Sequence, residues 1–402
     1  MKLTETFNEL SLVLNQYRAY WHFVPFDVLS HSDWPWQNDE LNQWLEQIDS
    51  GLVKAIDSDY DLQKQYFAGY FPKLFELLDS ISVAPMLSKR ENISAQLNSD
   101  FKKGIGQRKW QQICLLSQGL AELKLPVTEW CAGKGHLGRV LARQHNQAVV
   151  SIEWQQPLCQ KGTELAEKFE LDQRFIHANV LKDTRTLISK NQHVVALHAC
   201  GDLHLNLLSR VAQVKPERLT LSPCCYHLTQ AQTYQPQSEL GQSSDLKIDK
   251  SILKLAIKAQ LAPDDKVTQD RRNAVARRLA YQAIRADITG EQSYRSLPSL
   301  NKSILTCEFS DFVKWALSHQ TIQISDEQFN QLDFNYYLNI GHQLAFKAQK
   351  LELVRHLFRR ALELWLVMDK ALYLGELGYQ VSLNEFCKPD ITPRNLLIEA
   401  HL

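Results

Sequence analysis

The amino-acid sequence predicts an α/β protein whose mostly parallel sheet is covered by helices on both faces. Between residues 105 and 229, short apolar runs alternate with amphipathic helical stretches, at a spacing of roughly 20–25 residues. Such alternation is typical of right-handed βαβ units, in which each helix returns the chain to the same edge of the sheet. The predicted strands are Val127–Trp130, Ala148–Ile152, Arg174–Ala178, Val194–His198 and Leu219–Ser222.

The rest of the chain is predicted to add helices and two last strands to this sheet. A long helical pattern over Lys350–Leu377 is followed by two extended runs, Tyr379–Phe386 and Asn395–Ala400. Five parallel strands, a long helix and a terminal strand pair match the strand count of a Rossmann-like class I methyltransferase sheet. The predicted domains are an N-terminal helical domain (1–104), the cofactor-binding core (105–229), a mainly helical insertion (230–349) and the C-terminal helix and strand pair (350–402).

Composition and charge narrow the class of protein. An apolar fraction of 44% with 22% charged residues is ordinary for a globular chain. The eight cysteines include no Cys-x-x-Cys pair, so we expect a reducing compartment and a cytoplasmic location rather than a disulfide scaffold. No apolar run approaches the length of a membrane span. Residues 1–100 carry 7 Lys and Arg against 15 Asp and Glu, while residues 101–402 carry 38 against 30. This asymmetry favours an acidic domain docked on a basic one, or a polyanionic partner.

The sharpest local pattern is the segment from Glu129 to Gly138, which lies between a predicted strand and a predicted helix. Gly133 and Gly135 allow a tight turn and a close approach of the backbone to a ligand. The following helix begins with unpaired N–H groups that favour a carboxylate or another anion. Twenty residues after Gly133, at the end of the second strand, Glu153 is in position to accept both ribose hydroxyls of an adenosine.

Two further residues, Glu129 and Asn179, each have two possible roles. Glu129 either fixes the turn or meets the cofactor's ammonium group. Asn179, at the end of the third strand, either reads an adenine edge or caps the next helix. The literal Gly-x-Gly-x-x-Gly pattern from Gly133 to Gly138 also keeps a nicotinamide oxidoreductase open. The acid at position 129 and the absence of a second nucleotide-binding half argue against that class.

Three motifs in this region carry a resemblance to a known family. The Cys-Ala-Gly-Lys-Gly turn, His198-Ala-Cys-Gly-Asp202 and the run Pro223-Cys-Cys-Tyr-His227 resemble a methyltransferase-like family whose relatives include a protein described as a ribosomal RNA adenine dimethylase domain protein. The resemblance covers about 105–229 and 350–402. A more distant similarity is to the eukaryotic tRNA ribose methyltransferases that act on the acceptor stem. Glu129 departs from the family, which more often has Asp there.

This resemblance implies S-adenosylmethionine as cofactor and points to RNA as substrate. The predicted cofactor-binding residues are Glu129, Gly133, Gly135, Glu153, Asn179 and His198. The predicted function is S-adenosylmethionine-dependent methylation of tRNA or rRNA, with no membrane partner and no obligatory metal. The alternatives are methylation of a protein or a small molecule, and a non-catalytic RNA-binding scaffold with a methyltransferase fold.

Cysteines and histidines cluster at the ends of the fourth and fifth predicted strands, and four interpretations of them remain open. In the first they shape the acceptor pocket, with Asp202 or His227 assisting deprotonation of a hydroxyl or amine. In the second, Cys224 or Cys200 attacks C6 of a pyrimidine before methylation at C5. In the third they bind zinc, and in the fourth they are buried structural residues. The candidate catalytic residues are therefore Asp202, Cys224 and His227.

Two groups of basic residues are candidates for contact with RNA phosphates. On a predicted helix over about 270–286, Arg271, Arg278 and Arg285 repeat every seven residues and share one face. The alternative is an ordinary solvated helix face. A second basic patch precedes the first strand and consists of Lys102, Lys103, Arg108 and Lys109.

Overall fold

The computed structural model describes residues 2–29, 34–86, 97, 100–120, 124–258 and 265–402. The chain divides into two compact units. Unit 1 comprises Met1–Gln16, Lys73–Ala259 and Arg359–Leu402, and unit 2 comprises Tyr17–Pro72 and Gln260–Phe358. The four domains predicted from the sequence stay a prediction.

Unit 1 is built on a sheet that has eight strands among the described residues. They are β1 Ala84–Pro85, β2 Val127–Trp130, β3 Val149–Glu153, β4 Gln173–His177, β5 His193–Cys200, β6 Arg218–Cys224, β7 Gln380–Glu385 and β8 Leu396–His401. Their order across the sheet is β1-β7-β8-β6-β5-β2-β3-β4. β8 runs antiparallel to both β6 and β7, and the other neighbouring strands are parallel. The predicted α/β fold class is confirmed.

The helices of the described residues fall in both units. They are α1 Leu3–Gln16, α2 Arg18–Trp21, α3 Pro25–Val28, α4 Asp39–Gln47, α5 Ser50–Ser58, α6 Tyr60–Phe67, α7 Pro72–Ser80, α8 Gln107–Gly119, α9 His136–His145, α10 Gln156–Lys168, α11 Asp202–Val214, α12 Glu239–Ser243, α13 Asp265–Thr289, α14 Lys302–Thr306, α15 Phe309–His319, α16 Asp326–Asn330, α17 Phe334–His356 and α18 Arg359–Glu376. A 3₁₀-helix spans Ile252–Ile257. None of the helices in the described part of the chain is long and apolar enough to cross a membrane.

The central strands are buried on both faces and lack a regular alternation of apolar and polar residues. Every residue of β2 is buried, and β6 is buried from its second residue to its end. Strands covered by helices on both faces lose the polar alternation of half-exposed strands. In unit 1 one apolar cluster joins α8, α9 and the sheet, and includes Trp110, Leu141 and Val195. Unit 2 has a cluster of its own around Phe312.

The strand order places a topological switch point at β2. From β2 the chain adds β3 and β4 on one side, and then returns to add β5 and β6 on the other. The loops that leave the carboxyl ends of β2 and β5 therefore diverge and open a crevice, which is where ligands bind in open α/β sheets. The turn after β2 and the residues after β5 lie at this edge.

Two predictions made from the sequence are wrong. The helix expected over Lys350–Leu377 is interrupted between α17 and α18, because the N–H groups of Leu357 and Phe358 bond three residues back, to the carbonyls of Val354 and Arg355. Such bonds tighten the backbone and end an α-helix.

The predicted arginine face on α13 is also wrong. Arg285 is only 1% exposed and its Nη1 lies 2.8 Å from Oε2 of Glu291. Arg278 donates to the carbonyls of Leu297 and Pro298 at 2.8 and 2.7 Å. The segment after the helix thus occupies the guanidinium groups of Arg278 and Arg285, whereas Arg271 is exposed.

Candidate active site

The turn after β2 has a backbone that requires glycine. Gly133 and Gly135 have φ values of 60° and 64°, in the left-handed region, and Cys131 shares this conformation with a φ of 57°. A Cβ atom added to Gly135 would lie 2.4 Å from Nε2 of Gln173, so a side chain does not fit there. A Cβ on Gly133 would meet no atom within 4 Å, which leaves space for a ligand to approach the backbone.

Glu153 ends β3 and its carboxylate lies directly against this turn. Oε2 accepts a hydrogen bond from the N–H of Gly133 at 2.9 Å, and Oε1 accepts one from the N–H of Gln155 at 2.9 Å. The residue is 5% exposed, whereas the next residue, Trp154, is 60% exposed. The predicted acid is thus held at the turn, with an exposed indole beside it.

Glu129 is buried beneath the first turn of α9. Its Oε2 accepts a hydrogen bond from Oγ of Ser151 at 2.7 Å, and the backbone N–H of Gly138 also interacts with the carboxylate. Burial raises the pKa of Glu129 to about 7, and these hydrogen bonds oppose the shift. A Cβ on Gly138 would lie 2.5 Å from Oε2, so this glycine is also required for close packing. These contacts are those of a residue that fixes the turn.

Asn179 forms a local turn after β4. Its Oδ1 accepts a hydrogen bond from the N–H of Leu181 at 3.1 Å, and its carbonyl accepts from the N–H groups of Lys182 and Asp183. An asparagine that bonds the backbone two residues ahead makes an Asx turn. The described residues between β4 and β5 form no helix, so these contacts form a local turn rather than the predicted helix cap, and the side chain is exposed.

His198 lies at an irregularity in β5. The pairing with β6 shifts between Leu197 and Ala199, and His198 has a φ of 58°. Its Nε2 is 2.8 Å from Oε1 of Gln112, while the buried Nδ1 has no hydrogen-bond partner. Burial lowers the pKa of His198 to about 4, so the ring is neutral at neutral pH.

Three cysteines meet where β5 and β6 end. Cys200 and Cys224 are register partners, and their Sγ atoms are 3.4 Å apart. The Sγ atoms of Cys200, Cys224 and Cys225 all lie within 4.8 Å of one another. Cys224 is fully buried, and its hydrogen bonds to the other two thiols, together with this burial, raise its pKa. Arg394 approaches Cys225, with Nη1 at 3.6 Å from its Sγ.

An open cavity of about 1040 Å³ adjoins this cluster in unit 1. Asp202 and Cys200 line it, and Oδ2 of Asp202 accepts a hydrogen bond from the N–H of Gln230 at 3.0 Å. His227 also lines it, and its buried Nδ1 has no hydrogen-bond partner. The remaining lining residues are Leu181, Leu203, Leu228, Thr229, Gln230, Gln232, Asp249, Lys250, Ser251 and Lys254.

The electrostatics of the cavity keep His227 neutral. Burial lowers the pKa of this imidazole, and Lys254 and Lys250 lower it further, against an opposing effect of Cys225. A neutral imidazole at a cavity wall is able to accept a proton at neutral pH. Of the predicted acceptor-side residues, Asp202 and His227 reach the cavity, whereas Cys224 does not line it.

Sequence reasoning missed several residues that the structure brings to this edge. Lys250 and Lys254 lie in the predicted insertion and belong to no motif, although their spacing of four was visible. Trp154 directly follows Glu153, and this position was a signal that could have been used. Arg394 and Gln112 reach the cysteines and His198 from distant parts of the chain, and no local pattern marks them.

Comparison with known proteins identifies the class of the central region. Residues 108–232 match the family model of a methyltransferase domain. A search of curated proteins found no significant match. The predicted S-adenosylmethionine-dependent methyltransferase is confirmed at the level of this domain, which contains the turn, Glu153 and the carboxyl ends of β5 and β6.

Solved structures with detectable similarity include three methyltransferases. The tRNA (uracil-54, C5)-methyltransferase of Pyrococcus abyssi, in complex with S-adenosyl-L-homocysteine, is 17% identical with a TM-score of 0.24, and the alignment covers 28% of each chain. Geranyl diphosphate C-methyltransferase of Streptomyces coelicolor A3(2) is 16% identical with a TM-score of 0.25, over 34% of this chain and 56% of that one. An O-methyltransferase family protein of Burkholderia thailandensis is 12% identical with a TM-score of 0.29, over 85% and 70%. The chain thus spans about a quarter to a half of the first two structures, and similarity at this level carries no information about substrate.

Proposed function

We propose that this protein transfers the methyl group of S-adenosylmethionine to a nitrogen or oxygen atom of RNA, with tRNA or rRNA as substrate. The observation that carries the proposal is the cavity beside the ends of β5 and β6, which combines a neutral His227 with two lysines. The alternatives, a protein or small-molecule acceptor and a non-catalytic scaffold, are outcomes of the experiment below.

The cofactor side of the proposal rests on the turn after β2. The bound cofactor supplies an electrophilic methyl group on a positively charged sulfur. Gly133 and Gly135 provide a backbone that a ligand can approach, and the N-terminus of α9 favours the cofactor's carboxylate. The carboxylate of Glu153 would accept the ribose hydroxyls. Glu129 would act beneath α9 by fixing the turn, and Asn179 and His198 would border the adenosine and the methyl donor respectively.

The acceptor side rests on His227. An acceptor hydroxyl or amine attacks the methyl carbon, the bond from that carbon to sulfur breaks, and S-adenosylhomocysteine leaves. The acceptor loses one proton, which the neutral imidazole of His227 at the cavity wall would accept. Alignment of nucleophile, methyl and sulfur supplies most of the rate enhancement in such a transfer, so a modest base suffices. Asp202 already binds the N–H of Gln230, which supports a role in holding the cavity wall.

The burial of Cys224 supports nitrogen or oxygen methylation over methylation of a pyrimidine C5. A nucleophilic cysteine needs a lowered pKa and access to the base. Cys224 is fully buried, its pKa is raised, and it does not line the cavity. Cys200 does line the cavity, but its pKa is also raised, to about 11.

The choice of RNA rests on charge and on exposed apolar side chains. Lys250 and Lys254 lie at the cavity together with Leu228, which is 54% exposed. Ammonium groups attract phosphates, and an exposed apolar side chain offers a surface on which a base can pack. The basic patch of Lys102, Lys103, Arg108 and Lys109 is exposed in the same unit.

The test combines methylation with the salt dependence of binding. Purified protein, labelled S-adenosylmethionine and total RNA from cells that lack this protein should yield a new methylated nucleoside by mass spectrometry. The double variant Lys250→Ala, Lys254→Ala should weaken RNA binding and reduce its salt slope by about two, roughly one for each phosphate that the variant no longer neutralises.

The matched control is Lys161→Ala, Lys190→Ala, which removes two exposed lysines of unit 1 outside the cavity and should leave the slope unchanged. Label in protein or in a small metabolite, with none in RNA, would replace the RNA acceptor. Binding of RNA without transfer of label to any fraction would favour the scaffold.

A further inference from the structure

Three thiols from two neighbouring strands form a cluster that the proposed methyl transfer does not use. Cys200 ends β5, Cys224 ends β6, and Cys225 follows immediately with a φ of 50°. Their Sγ atoms lie within 4.8 Å of one another, and those of Cys200 and Cys224 are 3.4 Å apart. Two sulfurs on one tetrahedral zinc ion lie about 3.8 Å apart, given Zn–S bonds of about 2.3 Å. The cluster is therefore close to the size that one ion requires.

The surroundings of the cluster suit a thiolate-bound cation. Three thiolates and one divalent ion carry a net charge of −1, and Nη1 of Arg394 lies 3.6 Å from Sγ of Cys225, where its positive charge offsets that excess. The sheet fixes two of the three ligands, because Cys200 and Cys224 are paired in the β5–β6 register. Sulfur ligands select soft metals such as Zn²⁺ rather than Mg²⁺ or Ca²⁺.

The number of ligands indicates an open site. Closed structural zinc sites have four protein ligands, whereas sites with three leave one position for water or substrate. Within the described residues, the group of mutually close ligand atoms contains these three cysteines and no carboxylate or imidazole. Cys200 also lines the 1040 Å³ cavity, so an ion held by this cluster would border the space assigned to the acceptor.

We propose that Cys200, Cys224 and Cys225 bind one Zn²⁺ ion whose fourth position is open towards the cavity. Each thiol that binds gives its proton to solvent, no electron is transferred, and the ion keeps its charge. This proposal departs from the prediction of no obligatory metal, which rested on the absence of Cys-x-x-Cys pairs. It is independent of the substrate of the methyl transfer.

The experiment measures metal content and ligand identity in the full chain, without reference to activity. Protein purified under reducing conditions and loaded with Zn²⁺ should hold one equivalent after desalting, by elemental analysis. Replacement by Co²⁺ should give the thiolate-to-cobalt charge-transfer band and the intense visible bands of a four-coordinate ion. Each of Cys200→Ser, Cys224→Ser and Cys225→Ser should lower the affinity for Zn²⁺ by about tenfold or more, since changes to groups that only support a ligand already reach about tenfold.

Two control variants keep the proposal falsifiable. Cys307→Ser removes a partly buried thiol of unit 2, and His227→Ala removes the imidazole that shares the cavity, and both should retain the full equivalent and the cobalt spectrum. Should the cysteine variants unfold, alkylation of native protein replaces them, and zinc should protect the two partly exposed thiols of the cluster, Cys200 and Cys225. Absence of stoichiometric metal, equal loss in Cys307→Ser, or a Cys200–Cys224 disulfide in the reduced preparation would overturn the proposal. Loss of metal in His227→Ala would overturn the open fourth position.

Discussion

Glu153 joins the two parts of the proposed cofactor site through its two carboxylate oxygens. One oxygen accepts from Gly133 in the turn after β2, and the other accepts from Gln155 at the start of α10. A ribose bound at this carboxylate would therefore contact a group that also holds the glycine turn. Binding of cofactor and order in the turn are expected to depend on the same side chain.

Replacement of Glu153 by alanine should weaken S-adenosylhomocysteine binding by about tenfold or more, because a charge-assisted hydrogen bond contributes roughly 1.5–3 kcal/mol. Titration calorimetry measures the affinity, and circular dichroism checks that the variant is folded. Glu153→Gln keeps one acceptor oxygen and should lose less. Wild-type affinity in a folded alanine variant would assign the ribose contact to another residue.

Single residues were predicted from the sequence where local spacing defines the geometry. Gly133, Gly135 and Glu153 follow from the strand-turn-helix-strand pattern, and the structure brings all three to one turn. The burial of Cys224 and the unpartnered nitrogen of His198 depend on contacts with distant segments, which spacing does not record. Such residues are recognisable as polar or reactive from the sequence, but not as buried or exposed.

At the scale of elements, α18 fixes the loop that follows β6 through a buried carboxylate. Asp369 is fully buried and accepts hydrogen bonds from the hydroxyl of Tyr234 and from the backbone N–H groups of Gln237 and Ser238. Lys370, also fully buried, donates to the hydroxyl of Tyr234 at 2.8 Å. Burial lowers the pKa of Lys370 to about 8, and Asp369 opposes this shift.

Asp369→Ala should destabilise the protein by about 3–5 kcal/mol, because it leaves the buried donors of Tyr234, Gln237 and Ser238 without their acceptor and the buried Lys370 without the nearby negative charge. The midpoint of urea unfolding should fall accordingly. Asp245→Ala is the matched control, since Asp245 is an exposed acid in the same segment and its loss should change the midpoint little. Equal stability of wild type and Asp369→Ala would show that the network contributes no net stabilisation.

The positions of the parallel strands were predicted well from the sequence. The five parallel strands β2 to β6 lie within one or two residues of their predicted bounds, and all but the edge strand β4 are largely buried. The edge strand β1 was not predicted, since a two-residue strand has no periodicity. The end of α17 was missed because its apolar pattern continues into α18 and no Gly or Pro marks the interruption.

At the scale of the whole molecule, the two units gather segments that are far apart in the sequence. Within unit 1, α1 packs on α18, and the rings of Phe7 and Trp365 stack with their centroids 5.1 Å apart. Changes in sequence texture along the chain gave the four predicted domains, but they cannot reveal such long-range pairings. The type of a segment is visible in its local sequence pattern, whereas the pairing of distant segments appears only in the fold.

The central claim, that the turn after β2 and Glu153 bind S-adenosylmethionine, is tested most directly by comparing two ligands in thermal unfolding. A ligand present at 100 times its Kd stabilises the folded state by about 2.7 kcal/mol, which raises the Tm of a domain of this size by several degrees. S-adenosylhomocysteine should produce this shift, and NAD at the same concentration should leave the Tm unchanged. A shift with NAD and none with S-adenosylhomocysteine would contradict the account and assign the glycine turn to a dinucleotide.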